Sequence, residues 1–171
     1  MQYHGRLYRA LNPVYSRTPL SGQGAALYGG RFNPKGMPAL YTSLSIMTAL
    51  KEANQVGRLQ PTTLVSYQAA IESVFDGRDG FALADQGFSL ADLPSNSWRD
   101  RAKAEGEAPT QILARRLVKA GYHGLMVPSF AAGATAADLN LVLWQWSDRP
   151  PTLLELIDDE GRLVTQNADG R

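Results

Sequence analysis

Between Tyr28 and Glu52 the chain places one arginine, two tyrosines and one glutamate on a backbone bent by Gly29, Gly30, Pro34, Gly36 and Pro38. Glycines let a main chain approach a ligand closely, and prolines fix the turns between them. The fork of Arg31 suits a phosphate, and the rings of Tyr28 and Tyr41 suit a flat heterocycle. The Glu52 carboxylate can stabilise a cation that develops nearby. Together these groups read as a nucleotide site. Each also has a plainer reading: Arg31 as a turn arginine holding its own loop, the tyrosines as core rings with hydroxyls at the rim, and Glu52 as a solvated helix residue beside Lys51. Downstream, Ser129 follows Val127-Pro128 at a strand end, and Asn140 stands among Leu139, Leu141, Val142 and Leu143. A polar group in such a strand needs a partner, so Asn140 either faces solvent or orients a site residue.

The elements that must position these groups follow from the pattern. Residues 6–12 read as an opening strand ending at Asn12-Pro13, and 13–40 as a long ordered loop whose aromatic and arginine content points to function. Ser45 caps a helix over 46–57, with Ile46, Ala49, Leu50, Ala53 and Val56 as its apolar stripe and Gly57 as its exit. Thr48, Glu52 and Gln55 run along the flank, beside the packing face. Residues 62–71, 124–128 and 139–146 read as strands, and on the last of these Trp144 and Trp146 alternate onto one side. Residues 76–80 form a turn, 89–93 a short helix, 98–105 and 109–120 two longer helices, and 152–164 a hairpin about Asp158–Gly161. The tail 165–171 reads as loose. The order is mixed α+β in one compact domain over 1–171, with mixed or antiparallel sheets and packed helices, and lacks the regular alternation of a doubly wound sheet.

Composition narrows the chemistry. At 171 residues and 44% hydrophobic, the chain suffices for one well-buried core. Seventeen basic against sixteen acidic residues leave a formal charge of +1, no electrostatic footprint for nucleic acid or a membrane. The basic cluster Arg99, Arg101, Lys103, Arg115, Arg116 and Lys119 is interleaved with Asp100, Glu105 and Glu107 and reads as a solvated helix face. There is no cysteine, and His4 and His123 are the only histidines, too few for a zinc centre. No dinucleotide fingerprint, P-loop or G-x-S-x-G elbow is present. No signal-peptide segment or membrane-length apolar run is seen, so a cytoplasmic protein is expected.

The pattern Arg9…Arg17…Tyr28-Gly-Gly-Arg31-Phe-Asn…Gly36…Ala39-Leu-Tyr41-Thr-Ser…Ala49-Leu-Lys-Glu52, with Val127-Pro-Ser129 and Asn140 downstream, resembles the RES domain from about residue 5 to 147. The resemblance implies a fold similar to ADP-ribosyltransferase toxins, and the toxin half of a bacterial toxin–antitoxin pair. The implied partner is an antitoxin with a Xre-type helix-turn-helix domain that blocks the active site, so that DNA is reached only through the antitoxin. It implies that NAD is the substrate, with no metal or organic cofactor, and that Arg31, Tyr41 and Glu52 occupy the catalytic positions. Arg17, Tyr28, Ser129 and Asn140 would support binding; Ser43, Ser45 and Ser66 compete with Ser129 for the serine role. On this reading Glu52 stabilises positive charge on the ribose as nicotinamide leaves, Arg31 clamps the pyrophosphate with Arg17 as a second contact, and the tyrosines hold the nicotinamide. Water, phosphate or a protein side chain could accept the ADP-ribose, the last making the chain a mono-ADP-ribosyltransferase. A rival of another class is an RNA-directed toxin or RNA-binding module acting through the basic cluster.

Overall fold

The computed structural model describes residues 1–54 and 58–163. One seven-stranded sheet organises them, built from β1 (Tyr3–Leu11), β2 (Leu40–Ser43), β3 (Thr63–Ile71), β4 (Val74–Asp76), β5 (Gly124–Pro128), β6 (Leu139–Leu143) and β7 (Thr152–Leu156). Its order is β4-β5-β6-β2-β1-β3-β7, with β4 and β5 parallel and every other pair antiparallel. Helices α1 (Gln23–Tyr28), α2 (Ile46–Ala53), α3 (Gly80–Asp85), α4 (Trp98–Glu105) and α5 (Pro109–Lys119) complete the mixed α+β fold. None of the described helices is long and apolar enough to cross a membrane.

Strand alternation divides the core between the two faces of the sheet. Leu7, Leu40, Tyr67, Ile71, Met126, Leu141 and Leu143 bury one face. Leu125, Val127, Val142 and Trp144 bury the other, against Leu83 of α3 and Leu113, Ala114 and Leu117 of α5. Helix α5 has Pro109 at its first turn, where a missing N–H costs nothing, and Gly121 beyond its end at φ +89°.

Several elements differ from the sequence reading. The segment 13–40 contains a 3-10 turn at Pro13–Tyr15 and helix α1. Asp79 caps α3, accepting hydrogen bonds from the backbone of Phe81 and Ala82, so what reads as a turn also starts a helix. The hairpin over 152–164 is not formed by the described residues. Its first arm, β7, pairs with β3, and the turn closes when the backbone N–H groups of Arg162 and Leu163 bond the Asp158 carboxylate. Strand β6 ends at Leu143, which breaks the alternation of the two tryptophans: Trp144 joins the core under α5, and Trp146 packs on the opposite cluster. Gln55, Val56 and Gly57 of the expected helix, Val164 of the hairpin, and the tail lie outside the described residues.

Candidate active site

Register gathers the polar residues. On β2 and β6, Tyr41 lies opposite Val142 and Ser43 opposite Asn140; on β5, Val127 lies opposite Asn140. The period of two therefore puts Tyr41, Ser43, Val127, Asn140 and Val142 on the face that α5 covers. Helix α2 packs against β1 and β2. Its N-cap is Ser45, whose Oγ accepts from the Thr48 backbone N–H at 3.1 Å.

Glu52 of α2 meets this face. Ser129 Oγ donates to Glu52 Oε1 at 2.6 Å, and the Asn140 amide nitrogen donates to the same oxygen. Ser43 Oγ donates to Asn140 Oδ1 at 2.7 Å, which turns the amide so that its NH2 faces the carboxylate. The carboxylate is thus held by Ser129 and Asn140, with Asn140 oriented in turn by Ser43, residues that reach α2 only through the fold.

A second anchor fixes the helix itself. The buried Asp138 accepts from Thr48 Oγ1 at 2.7 Å and from Lys51 Nζ at 2.9 Å, both on α2, and from Thr135 N at 2.8 Å within its own loop. These bonds, the Thr135 N–H first, hold its carboxyl well below the usual carboxylate range. The Asp138 carbonyl also accepts from Ser129 N at 2.7 Å. One residue therefore ties together α2 and the loop that carries Ser129. The helix is oriented differently from the sequence expectation: Thr48 and Ala49 are buried, while Ile46 and Met47 are exposed. Its polar flank turns inward because Asp138, Ser129 and Asn140 supply partners there.

The loop that presents Arg31 is pinned from four sides. Tyr41 Oη donates to Asn33 Oδ1 at 2.7 Å and accepts from Phe32 N at 3.0 Å. Asn33 Nδ2 donates to the carbonyls of Ala25 and Met37. Gln111 Nε2 of α5 donates to the Gly30 carbonyl, and Trp144 Nε1 to that of Phe32. A Cβ on Gly30 would run into the Tyr41 hydroxyl and the Asn33 amide oxygen, so only glycine fits there. Burial raises the Tyr41 hydroxyl pKa far above its ordinary value, so it remains a neutral phenol.

Arg31, Tyr41, Glu52 and Asn140 line one cavity of about 330 Å³, together with Phe130, Asn96, Trp98 and Arg99. The Arg31 guanidinium lies 5.1 Å from the Phe130 ring centroid and donates from Nη1 to the carbonyls of Leu93 (3.1 Å) and Ser95 (2.7 Å). A longer bond at 3.4 Å runs from Nη2 to Asn96 Oδ1. Burial lowers its pKa from the ordinary guanidinium value, an effect opposed by the negative charge of Glu52. Of its five N–H groups, Nε–H and the second of Nη2 have no partner among the described residues and are available to a ligand. Arg31 thus both holds a loop, as its plainer reading had it, and lines the cavity.

The expected residues are distributed unevenly. Arg31, Tyr41, Glu52, Ser129 and Asn140 come together. Tyr28 is 77% exposed, so it is no core ring; it lines two neighbouring cavities, one shared with Tyr41. Arg17 is exposed and lines none of the cavities that contain Tyr41 or Glu52. Of the competing serines, Ser43 acts through Asn140, Ser45 caps α2, and Ser66 lies on β3. The sequence reading missed Asp138, Phe130 and Trp98 and assigned Arg99 to a solvated face. Only Asp138 left a usable signal, an acid two residues before Asn140.

The family model of the RES domain matches residues 6–166. In structure, the chain is similar to a chain of the crystal structure of the M. tuberculosis MbcT–MbcA toxin–antitoxin complex. The TM-score is 0.66 at 22% sequence identity, covering 92% of this chain and 84% of the other. No curated protein matches the sequence.

Proposed function

The chain belongs to the RES-domain family, and from that premise we propose that it is the toxin of a toxin–antitoxin pair, cleaving the bond between nicotinamide and ribose in NAD. The observation that carries this reading is Glu52, held by Ser129 and Asn140 at the cavity that Arg31 and Tyr41 also line. Heterolysis of that bond sends its electron pair to the nicotinamide nitrogen, which leaves as a neutral ring. Positive charge is left on the ribose, in a state like that of glycoside hydrolysis. A carboxylate fixed beforehand stabilises that charge without reorganising.

In this reading the Tyr41 ring, pinned through its hydroxyl, forms a wall for the nicotinamide. Arg31 offers its two remaining N–H groups to the pyrophosphate. The acceptor is water or inorganic phosphate, so the reaction drains NAD; transfer to a protein side chain is the alternative outcome. NAD is substrate here, and no other cofactor enters the scheme. Such an enzyme works in the cytoplasm, where NAD is available, and must be silenced there. The fold it shares with a chain of a toxin–antitoxin complex supports a cognate antitoxin as the partner, of the Xre helix-turn-helix type. The exposed Val14, Tyr15, Leu27 and Tyr28 offer it an apolar surface; all but Val14 line a cavity of about 600 Å³ that shares Gly29 and Tyr41 with the candidate site.

Nicotinamide release from NAD by the purified, partner-free chain, with and without phosphate, tests the proposal. Release that depends on Glu52 supports it, and phosphate dependence identifies the acceptor. No release under either condition removes NAD depletion as the activity and leaves transfer to protein to be assayed with labelled NAD.

A further inference from the structure

Beside the candidate site lies a second cavity, of about 570 Å³, which shares Gly29, Trp98 and Arg99 with the first. The two are therefore neighbours across one short wall. Lys35, Arg99, Lys103 and Arg115 bring four cations to this groove, against one carboxylate, Glu107, which is paired with Arg115. Lys35, Arg99 and Lys103 make no ion pair with a described residue. Trp98 and Tyr28 add aromatic surface, with the Arg99 guanidinium 4.6 Å from the Trp98 ring centroid.

Helix α4 is the unusual element here. It buries no residue, yet Trp98, Arg99, Ala102 and Lys103, which helical spacing places on one side, all line the groove. Trp98 and Ala102 are half-buried, but packing does not explain the exposed Arg99 and Lys103 beside them. The loop leading into α4 is held by Arg31 through the carbonyls of Leu93 and Ser95, so the groove is mechanically joined to the first cavity.

We propose that this groove binds the phosphate-bearing adenosine half of the dinucleotide. This deepens the NAD reading and rests on it. About 330 Å³ is at the small end for a ligand pocket, room for one half of a dinucleotide. The other half must lie in an adjoining cavity. Two other neighbours, one of about 600 Å³ lined by Leu11, Tyr15, Leu27 and Tyr28 and one of about 330 Å³ lined by Tyr8, Ser43 and Glu52, each have Arg9 as their one cation among the described residues, and Arg9 donates to the Pro19 carbonyl. Phosphates select the groove with unpaired cations, and a purine base selects the side that carries an indole ring.

The test is calorimetric binding of AMP, with nicotinamide mononucleotide and inorganic phosphate as separate probes. It compares the partner-free chain with the Lys35→Glu/Lys103→Glu variant and with Trp98→Ala. No residue of α4 is fully buried and Lys35 and Lys103 are exposed, so the variants should remain folded, with Trp98→Ala losing at most the half-buried indole contacts, which thermal melts verify. The expected result is AMP affinity at least about tenfold weaker in both variants, with mononucleotide affinity changed less than about twofold in Lys35→Glu/Lys103→Glu, whose two lysines line the groove and not the first cavity. Absence of AMP binding at millimolar concentration would overturn the assignment. So would unchanged AMP affinity in both variants, or displacement of AMP by equimolar phosphate. Nicotinamide release is measured in parallel. An active enzyme whose KM for NAD is untouched by the variants sinks the groove alone. Variant-sensitive AMP binding without nicotinamide release keeps the groove and sinks NAD cleavage.

Discussion

The two walls of the cavity are built by opposite means. On the Glu52 side, the carboxylate is fixed by buried and half-buried partners from other elements: Ser129 and Asn140 on the carboxylate, Ser43 on Asn140, and Asp138 across Thr48 and Lys51. On the Arg99 side, α4 has no fully buried residue, and its own ion pair, Arg101–Glu105, is exposed. A group that must meet charge developing in a transition state gains from rigid placement, because reorganisation would add to the barrier. A wall that admits and releases a long anionic ligand gains from being weakly held. Arg31 stands between them, lining the cavity while tethering the loop that leads to α4.

The largest loss is expected at Glu52 itself. Glu52→Gln keeps the shape and removes the charge, so nicotinamide release should fall on the order of 100-fold to 1,000-fold. NAD affinity should change far less, because the charge acts mainly in the transition state. Equal losses in binding and turnover would make Glu52 a binding residue. Next come its supports. Ser129→Ala and Asn140→Ala each remove one charge-assisted hydrogen bond, worth about 1.5–3 kcal/mol, and should cost roughly 10–100-fold in kcat. Because both bond the same oxygen, the double variant should lose less than the product of the two, and strict additivity would argue that they act separately.

This contrast also explains what the sequence could disclose. The Arg31, Tyr41 and Glu52 block was legible because glycines, prolines and aromatics cluster locally, and strand alternation made Asn140 conspicuous among Leu139, Leu141 and Val142. Strands β1, β3 and β5 and helix α5 followed from local periodicity and caps. The inward turn of α2 was not legible: its apolar stripe suggested Ile46 inside, and only the tertiary arrangement supplies Asp138 to receive Thr48 and Lys51. The α4 wall was missed for the converse reason. Arg99 and Lys103 look like any solvated helix face until the fold sets them opposite Lys35 and Tyr28. Tyr28 misled because a tyrosine is usually packed, whereas this one is 77% exposed.

At Asp138 the expected effect is smaller and depends on pH. The unfolded chain titrates an aspartate near about 3.9, and the folded state holds this carboxyl lower. Between those values the unfolded state binds more protons, so the stabilisation present at neutral pH is lost as pH falls below about 4. Asp138→Asn should therefore melt below the wild type at pH 7, and the gap should narrow as the pH is lowered. A gap that stays constant across this range would show that the carboxylate charge is not what joins α2 to the Ser129 loop. Activity should fall too, through displacement of Glu52, with the loss in kcat exceeding any change in KM.

The smallest effect tests the other wall. Arg101→Ala removes the exposed i,i+4 pair with Glu105, an interaction worth about 0.3–0.5 kcal/mol, and the melting temperature should hardly move. Local opening of α4 is a different matter, since only the half-buried Trp98 and Ala102 hold it against the fold. Its amides should exchange with solvent faster than those of α2 in the wild type, and faster still in Arg101→Ala, while exchange in α2 stays unchanged. A saturating ligand that bridges Lys35, Arg99 and Lys103 should slow α4 exchange without altering α2. If α4 proves as protected as α2 in the free chain, both walls are rigid, and the division of labour between a fixed carboxylate and a yielding cationic wall fails. Protection of α4 that appears only with ligand would assign its missing packing to the bound anion, as a helix with no fully buried residue requires.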